Sequence, residues 1–99
     1  MLKHEDTRKL LKGYAAQNLK PAQNAMLISG LKAWYRSLDR SSLHARHFEV
    51  ILNRYIILNP LKLTEVGALI GKTETNVGRD VREGIRLLSE YLPALPVPE

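Results

Sequence analysis

The sequence predicts an all-α protein, a five-helix bundle with a C-terminal helix-turn-helix formed by helices 3–5. Three observations carry this. Apolar residues recur at helical spacing in five successive segments. The segments are separated by short breaks rich in Pro, Gly, Asn and Ser. The chain has 99 residues and is 44% hydrophobic, enough for one domain with a modest core. Long apolar faces joined by short connections imply a compact bundle. That domain is expected over residues 1–92, as an N-terminal helical hairpin (1–40) and a helix-turn-helix core (43–92). An extended tail (93–99) follows.

The first helix is expected from about His4 to Gln17, with Leu10, Leu11, Tyr14 and Ala15 as its apolar face. Asn18, Lys20 and Pro21 mark a break. Proline suits the first turn of the next helix, where its missing N–H would have no partner in any case. The second helix runs to about Leu38, with Leu27, Leu31, Trp34, Tyr35 and Leu38 as its stripe. Asp39 to Ser42 is polar, and Ser41 or Ser42 is the candidate cap of the third helix. Phe48, Ile51, Leu52, Tyr55 and Ile56 recur at helical spacing, which carries that helix to near Leu58. Asn59-Pro60 is a strong turn signal. At the far end, the tail PALPVPE cannot continue a helix.

Residues 61–92 hold the most informative pattern. Leu63, Val66, Leu69 and Ile70 form one face of a short fourth helix. Gly71 supplies its stop, because glycine accepts the left-handed conformation that ends helices. Thr73 can cap the fifth helix by bonding its orphan backbone N–H groups. Val77, Val81, Ile85, Leu88 and Leu92 then follow at steps of 4, 4, 3 and 4. One core is expected to hold Val66, Leu69, Val77, Val81 and Ile85 together with Phe48, Ile51, Leu52 and Tyr55. Gly67 and Gly84 read as packing positions that let helices cross closely. Gly78 costs about 1 kcal/mol against alanine in a helix. It too is read as packing, with close approach to a DNA backbone as the alternative. Opposite the apolar stripe lie Thr75, Asn76, Arg79, Arg82 and Arg86, donor-rich side chains of the kind that bond phosphates and purine edges.

The net charge of +5 favours an anionic partner without naming it. Its distribution is uneven. Residues 1–59 hold ten Lys or Arg against four acids, and residues 60–99 hold five against six. The basic surplus therefore lies outside the fourth and fifth helices. There is no cysteine, hence no disulfide scaffold and no thiolate metal site. No apolar run approaches the roughly 20 residues of a membrane span, and the N-terminus lacks an apolar signal core. A cytoplasmic location is expected.

The segment from His47 to Leu92 resembles the DNA-binding region four of bacterial sigma factors. The resemblance rests on FEVILNRYI (Phe48 to Ile56), LTEVGALIGKTETNV (Leu63 to Val77) and the basic run ending in IRLL (Ile85 to Leu88). Arg54-Tyr55 matches the arginine-aromatic pair that closes the preceding helix in that family. Glu65-Val66-Gly67 matches the opening of its first motif helix. The arrangement also resembles phage late-gene regulators, including the autolysin-regulator (ArpU-like) family and the Q-type antiterminators. Two departures stand out. Asn59-Pro60-Leu61-Lys62 replaces a glycine-containing link, and Gly78 replaces a long polar side chain. Nothing in residues 1–46 matches the sigma region that reads the upstream promoter element and melts DNA. The resemblance thus implies a small accessory regulator, of phage or prophage, acting on promoter DNA, RNA polymerase or both. It places Thr75, Asn76 and Arg79 at base edges and Lys72 and Thr73 at phosphates. Double-stranded DNA is the expected partner, with RNA polymerase and a second copy of the chain as further candidates. A dimer would set two recognition helices about 34 Å apart, one DNA turn.

Other patterns have plainer readings. His44 and His47 are spaced i, i+3 but lack an evident third metal ligand, so both are expected to be solvent-exposed or capping. Trp34-Tyr35 beside Lys32, Arg36 and Arg40 reads first as core and solvated face. The apolar face of the first helix is too short to favour an anionic membrane, despite Lys3, Arg8, Lys9 and Lys12. Pro93-Ala94-Leu95-Pro96 fits a PxxP pattern that short proline tails often match by chance. No enzyme signature, metal site or cofactor site is evident. Two functions from different classes follow. One is a DNA-binding regulator; the other is a helical module that docks on RNA polymerase or another regulator without reading DNA.

Overall fold

The computed structural model describes residues 1–38 and 43–93. Ser41, Ser42, Arg40 and the tail from Ala94 onward lie outside the described residues, and with them the expected cap of the third helix. The elements are α1 (His4–Ala15), α2 (Pro21–Ser37), α3 (Leu43–Ile51), α4 (Leu63–Ile70) and α5 (Glu74–Ser89). α3 runs directly into a π-helical turn, Leu52–Ile56. Among the described residues there is no strand.

Local chemistry explains the helix boundaries. Pro21 opens α2, and the Gln23 side chain accepts the Lys20 N–H at 2.9 Å. Glu65 does the same for Lys62 at the start of α4, at 3.0 Å. Each supplies an acceptor for a backbone donor with no partner inside the helix. α1 stops two residues before the expected Gln17. Gln17 N–H bonds the Tyr14 carbonyl and Asn18 N–H the Gly13 carbonyl, both at 3.0 Å. This pair of reversed bonds needs a left-handed residue, and Gln17 takes that role at φ 59°.

The third helix also ends early. Its last turn widens so that Ile57 N–H bonds the Leu52 carbonyl, five residues back, at 3.0 Å. The chain then reverses, and the segment leading into α4 is tied back to this turn. Leu61 N–H bonds the Asn53 carbonyl at 2.9 Å, and the Arg54 guanidinium reaches the Leu61 carbonyl at 3.4 Å. Arg54 also lies over the Tyr55 ring, 5.1 Å from its centroid. Tyr55 itself is buried.

α5 is the axis of the molecule. α1, α2, α3 and α4 all pack on it, α3 most extensively. The expected stripe of Val77, Val81, Ile85, Leu88 and Leu92 is buried. The N-terminal pair shares this core through Leu2, Leu10, Leu11, Leu27, Leu31 and Trp34. A polar clasp joins α1 to the end of α5. Leu2 N–H bonds the Ser89 carbonyl at 3.2 Å, and the buried Thr7 and Ser89 hydroxyls lie 2.7 Å apart. The apolar residues Leu10 and Leu11 of α1 are therefore packed in the core. No helix among the described residues is long and apolar enough to cross a membrane.

Three expectations about burial are corrected. Leu69 is 62% exposed, not in the core. The inward face of α4 is Leu63, Val66, Gly67 and Ile70, and Leu69 sits about 100° around from Ile70. Tyr35 is 54% exposed, because Trp34, one residue earlier, takes the buried position. His47 is buried rather than solvent-exposed or capping, because α3 turns it toward α5. His44, by contrast, is exposed.

Candidate nucleic-acid interface

The unit that could present side chains to a partner is α4, a tight turn and α5. Gly71 ends α4 at φ 72° and ψ 34°, left-handed as its residue type allows. Lys72 N–H then returns to the Gly67 carbonyl at 2.8 Å. This brings the Lys72 carbonyl so close to Gly67 that a Cβ there would stand 2.6 Å from it. Gly67 is thus a packing position, and the turn fixes how α5 leaves α4. Thr73 caps α5, its hydroxyl accepting the Asn76 N–H at 3.3 Å. On the core side, a Cβ on Gly84 would meet Ile51 at 2.5 Å, so glycine sets the close crossing of α5 on α3.

The outer face of α5 carries the residues singled out by the sequence. Lys72, Thr73, Thr75, Asn76, Arg79, Arg82 and Arg86 are all exposed. Thr75, Gly78, Arg79 and Arg82 fall at i, i+3, i+4 and i+7 and so share one face. Lys72, Arg79 and Arg82 have no ion-pair partner among the described residues. The helix start adds free backbone donors and a partial positive charge beside Lys72 and Thr73.

Arg86 and Gly78 differ in setting from the rest of this face. Arg86 is engaged within the molecule, paired with Glu83 and, at 3.4 Å, with Glu90. The hydrogen bond to Glu83 raises the guanidinium's proton affinity and lowers that of the carboxylate. Gly78 is not a packing position, since a Cβ there would have nothing within 4 Å. The cost of a mid-helix glycine is therefore unrelated to any neighbour in the described chain.

Behind this face lies a buried polar cluster that the sequence reading missed. Asp80 is 7% exposed. Its Oδ1 stands 3.2 Å from Arg46 Nη2 and 3.4 Å from His47 Nε2, both on α3. Burial lowers the pKa of His47 below the usual 6.5, and the Asp80 charge opposes this without reversing it. The cluster ties α5 to α3 one residue from Arg79. A signal was available in the sequence. Asp80 sits inside the apolar stripe between Val77 and Val81, where an acid needs a partner. His44 and His47 lie near each other, with ring centroids 6.0 Å apart. Among the described residues no group of three His, Asp or Glu is arranged to hold a metal.

Compared with known proteins, the chain matches no family model, no curated protein and no solved structure.

Proposed function

We propose that this protein is a DNA-binding transcription regulator of the sigma region-four-like type, of phage or prophage origin, acting on promoter DNA, RNA polymerase or both. One observation carries the reading. The first turns of α5 hold an exposed row of donors, Thr75, Asn76, Arg79 and Arg82, on a helix whose exit from the turn is set by Gly67, Gly71 and Thr73. Rigid placement of a few donors on one helix is what reading base edges in a major groove requires. Lys72 and the N-terminus of α5 would meet phosphates, which position a protein without specifying sequence. Gly78 supports the same reading, because a helix without a side chain at that point lets a phosphate backbone approach closely.

The test is binding to duplexes from upstream of the protein's own and neighbouring genes, with and without RNA polymerase. Arg79→Ala should cost about 1–3 kcal/mol on the preferred duplex and little on others. Lys72→Ala should weaken all duplexes alike. No preferred duplex under any salt condition, with or without polymerase, would sink the reading. A second reading has support from charge. The basic surplus sits in residues 1–59, which favours a module docking on an acidic surface of RNA polymerase or another regulator. Binding to polymerase that persists in Arg79→Ala, with no duplex binding at all, would select it.

A further inference from the structure

We infer that the trough between α2 and α3 is a docking site for an amphipathic, acidic helix of a partner protein. This surface shares no residue with the exposed row on α5, and the inference stands whether or not α5 reads DNA.

α2 and α3 do not pack closely backbone to backbone. Aromatic side chains hold them apart. Trp34 meets Phe48 edge-on with centroids 4.9 Å apart, and Tyr35 lies tilted on the same ring at 5.6 Å. The gap is a cleft of about 390 Å³ floored by Ile28, Leu31, Phe48, Leu52 and Ile56. A second cleft of about 350 Å³ adjoins it and shares Tyr35, Arg36 and Phe48. Ile28, Leu52 and Ile56 remain half-buried although they pack against the core. Tyr35, 54% exposed, stands where the two clefts meet.

Size and charge select the occupant. Ile28 to Tyr35 covers about 10 Å of α2, and Phe48 to Ile56 about 12 Å on the other wall. Two turns of helix have that length, with apolar anchors at i, i+3 or i+4, and i+7. Among the described residues the charged lining is Lys32 and Arg36, one turn apart on α2, with no acid. Neither cation has an ion-pair partner among the described residues. An apolar floor with a cationic rim complements an apolar helix flanked by Glu or Asp. A second copy of this chain fits less well, since it brings the same cationic rim and a net charge of +5.

Trp34 is the only tryptophan, and its contact with Phe48 makes it a built-in reporter. The experiment uses the full chain and two labelled helical peptides of about 16 residues, long enough to be partly helical alone. One carries leucines at helical spacing flanked by glutamates; its twin has lysines in place of the glutamates. The acidic peptide should bind at least about tenfold tighter than the twin and shift Trp34 emission. Tyr35→Ala should weaken it by about tenfold while the chain still melts cooperatively. The pair Lys32→Glu and Arg36→Glu, at exposed sites, should reverse the preference between the peptides. Arg79→Ala should leave peptide binding intact, which separates this result from any failure of duplex binding. Equal affinity for the two peptides overturns the inference. So does self-association that Tyr35→Ala abolishes, which would make the occupant a second copy. Loss of duplex binding in Tyr35→Ala, or displacement of the peptide by duplex, also overturns it and makes the trough a nucleic-acid surface.

Discussion

Gly78 interrupts an otherwise ordinary helix, and nothing in the described chain fills the space beside it. Alanine there should stabilise the fold by about 1 kcal/mol, read as a higher melting temperature. If a DNA backbone uses that space, the same substitution should weaken duplex binding. Greater stability with unchanged affinity would leave the glycine without a role at an interface. His47 makes a second prediction. Burial disfavours its charged form, so the folded chain binds that proton less readily than an ordinary histidine with pKa 6.5. Below 6.5 the unfolded chain gains a proton that the folded chain refuses. The stability is therefore complete above that value and declines as pH falls toward the lower folded value. Melting temperature should drop between about pH 7 and about pH 5, and His47→Gln should flatten the dependence. An equal slope in both proteins would discount His47 as the cause. Thr73 and Gly71 were legible in sequence because their roles are local. His47 was not, because its burial depends on α3 meeting α5 at Asp80.

At the scale of elements, helix existence was legible and helix ends were less so. Periodicity fixed all five helices, because each buries one apolar stripe. The end of α1 depends on Gln17 accepting a left-handed backbone, a conformation that L-residues with a Cβ disfavour by about 1–2 kcal/mol. Sequence offered no reason to place it there, since glycine is the usual residue. Gln17→Gly should relieve that strain and raise stability by up to about 1 kcal/mol, less the extra freedom that glycine gives the unfolded chain. A lower melting temperature would mean that the Gln17 side chain contributes more than its backbone costs. The π-helical turn was equally illegible. It accompanies the bonds that link Asn53 and Arg54 to Leu61, and hydrophobic spacing does not record those. Leu69 shows the limit of periodicity in a short helix. Over two turns, the stripe through Leu63, Val66 and Leu69 and the stripe through Leu63, Val66, Gly67 and Ile70 are both plausible, and glycine hides the correct one.

The described residues share one core, closed by both ends of their span. Leu2 and Thr7 bond Ser89, and Leu10 and Leu11 are buried in the cluster that includes Ile85 and Leu88. Removing residues 1–17 should therefore uncover α5 and abolish cooperative melting, rather than leave an intact C-terminal unit. A truncated chain that melts sharply would mean that α3, α4 and α5 suffice. The pairing of Arg86 with Glu83 and Glu90 has a wider consequence for the proposed function. With that arginine occupied, the free donors on α5 end at Arg82. If α5 reads DNA as proposed, it would address roughly four base pairs, a word that recurs by chance every few hundred base pairs in a genome offering on the order of a million competing sites. A single molecule carrying so short an address could not find one promoter unaided. Its address would have to be completed by whatever it travels with.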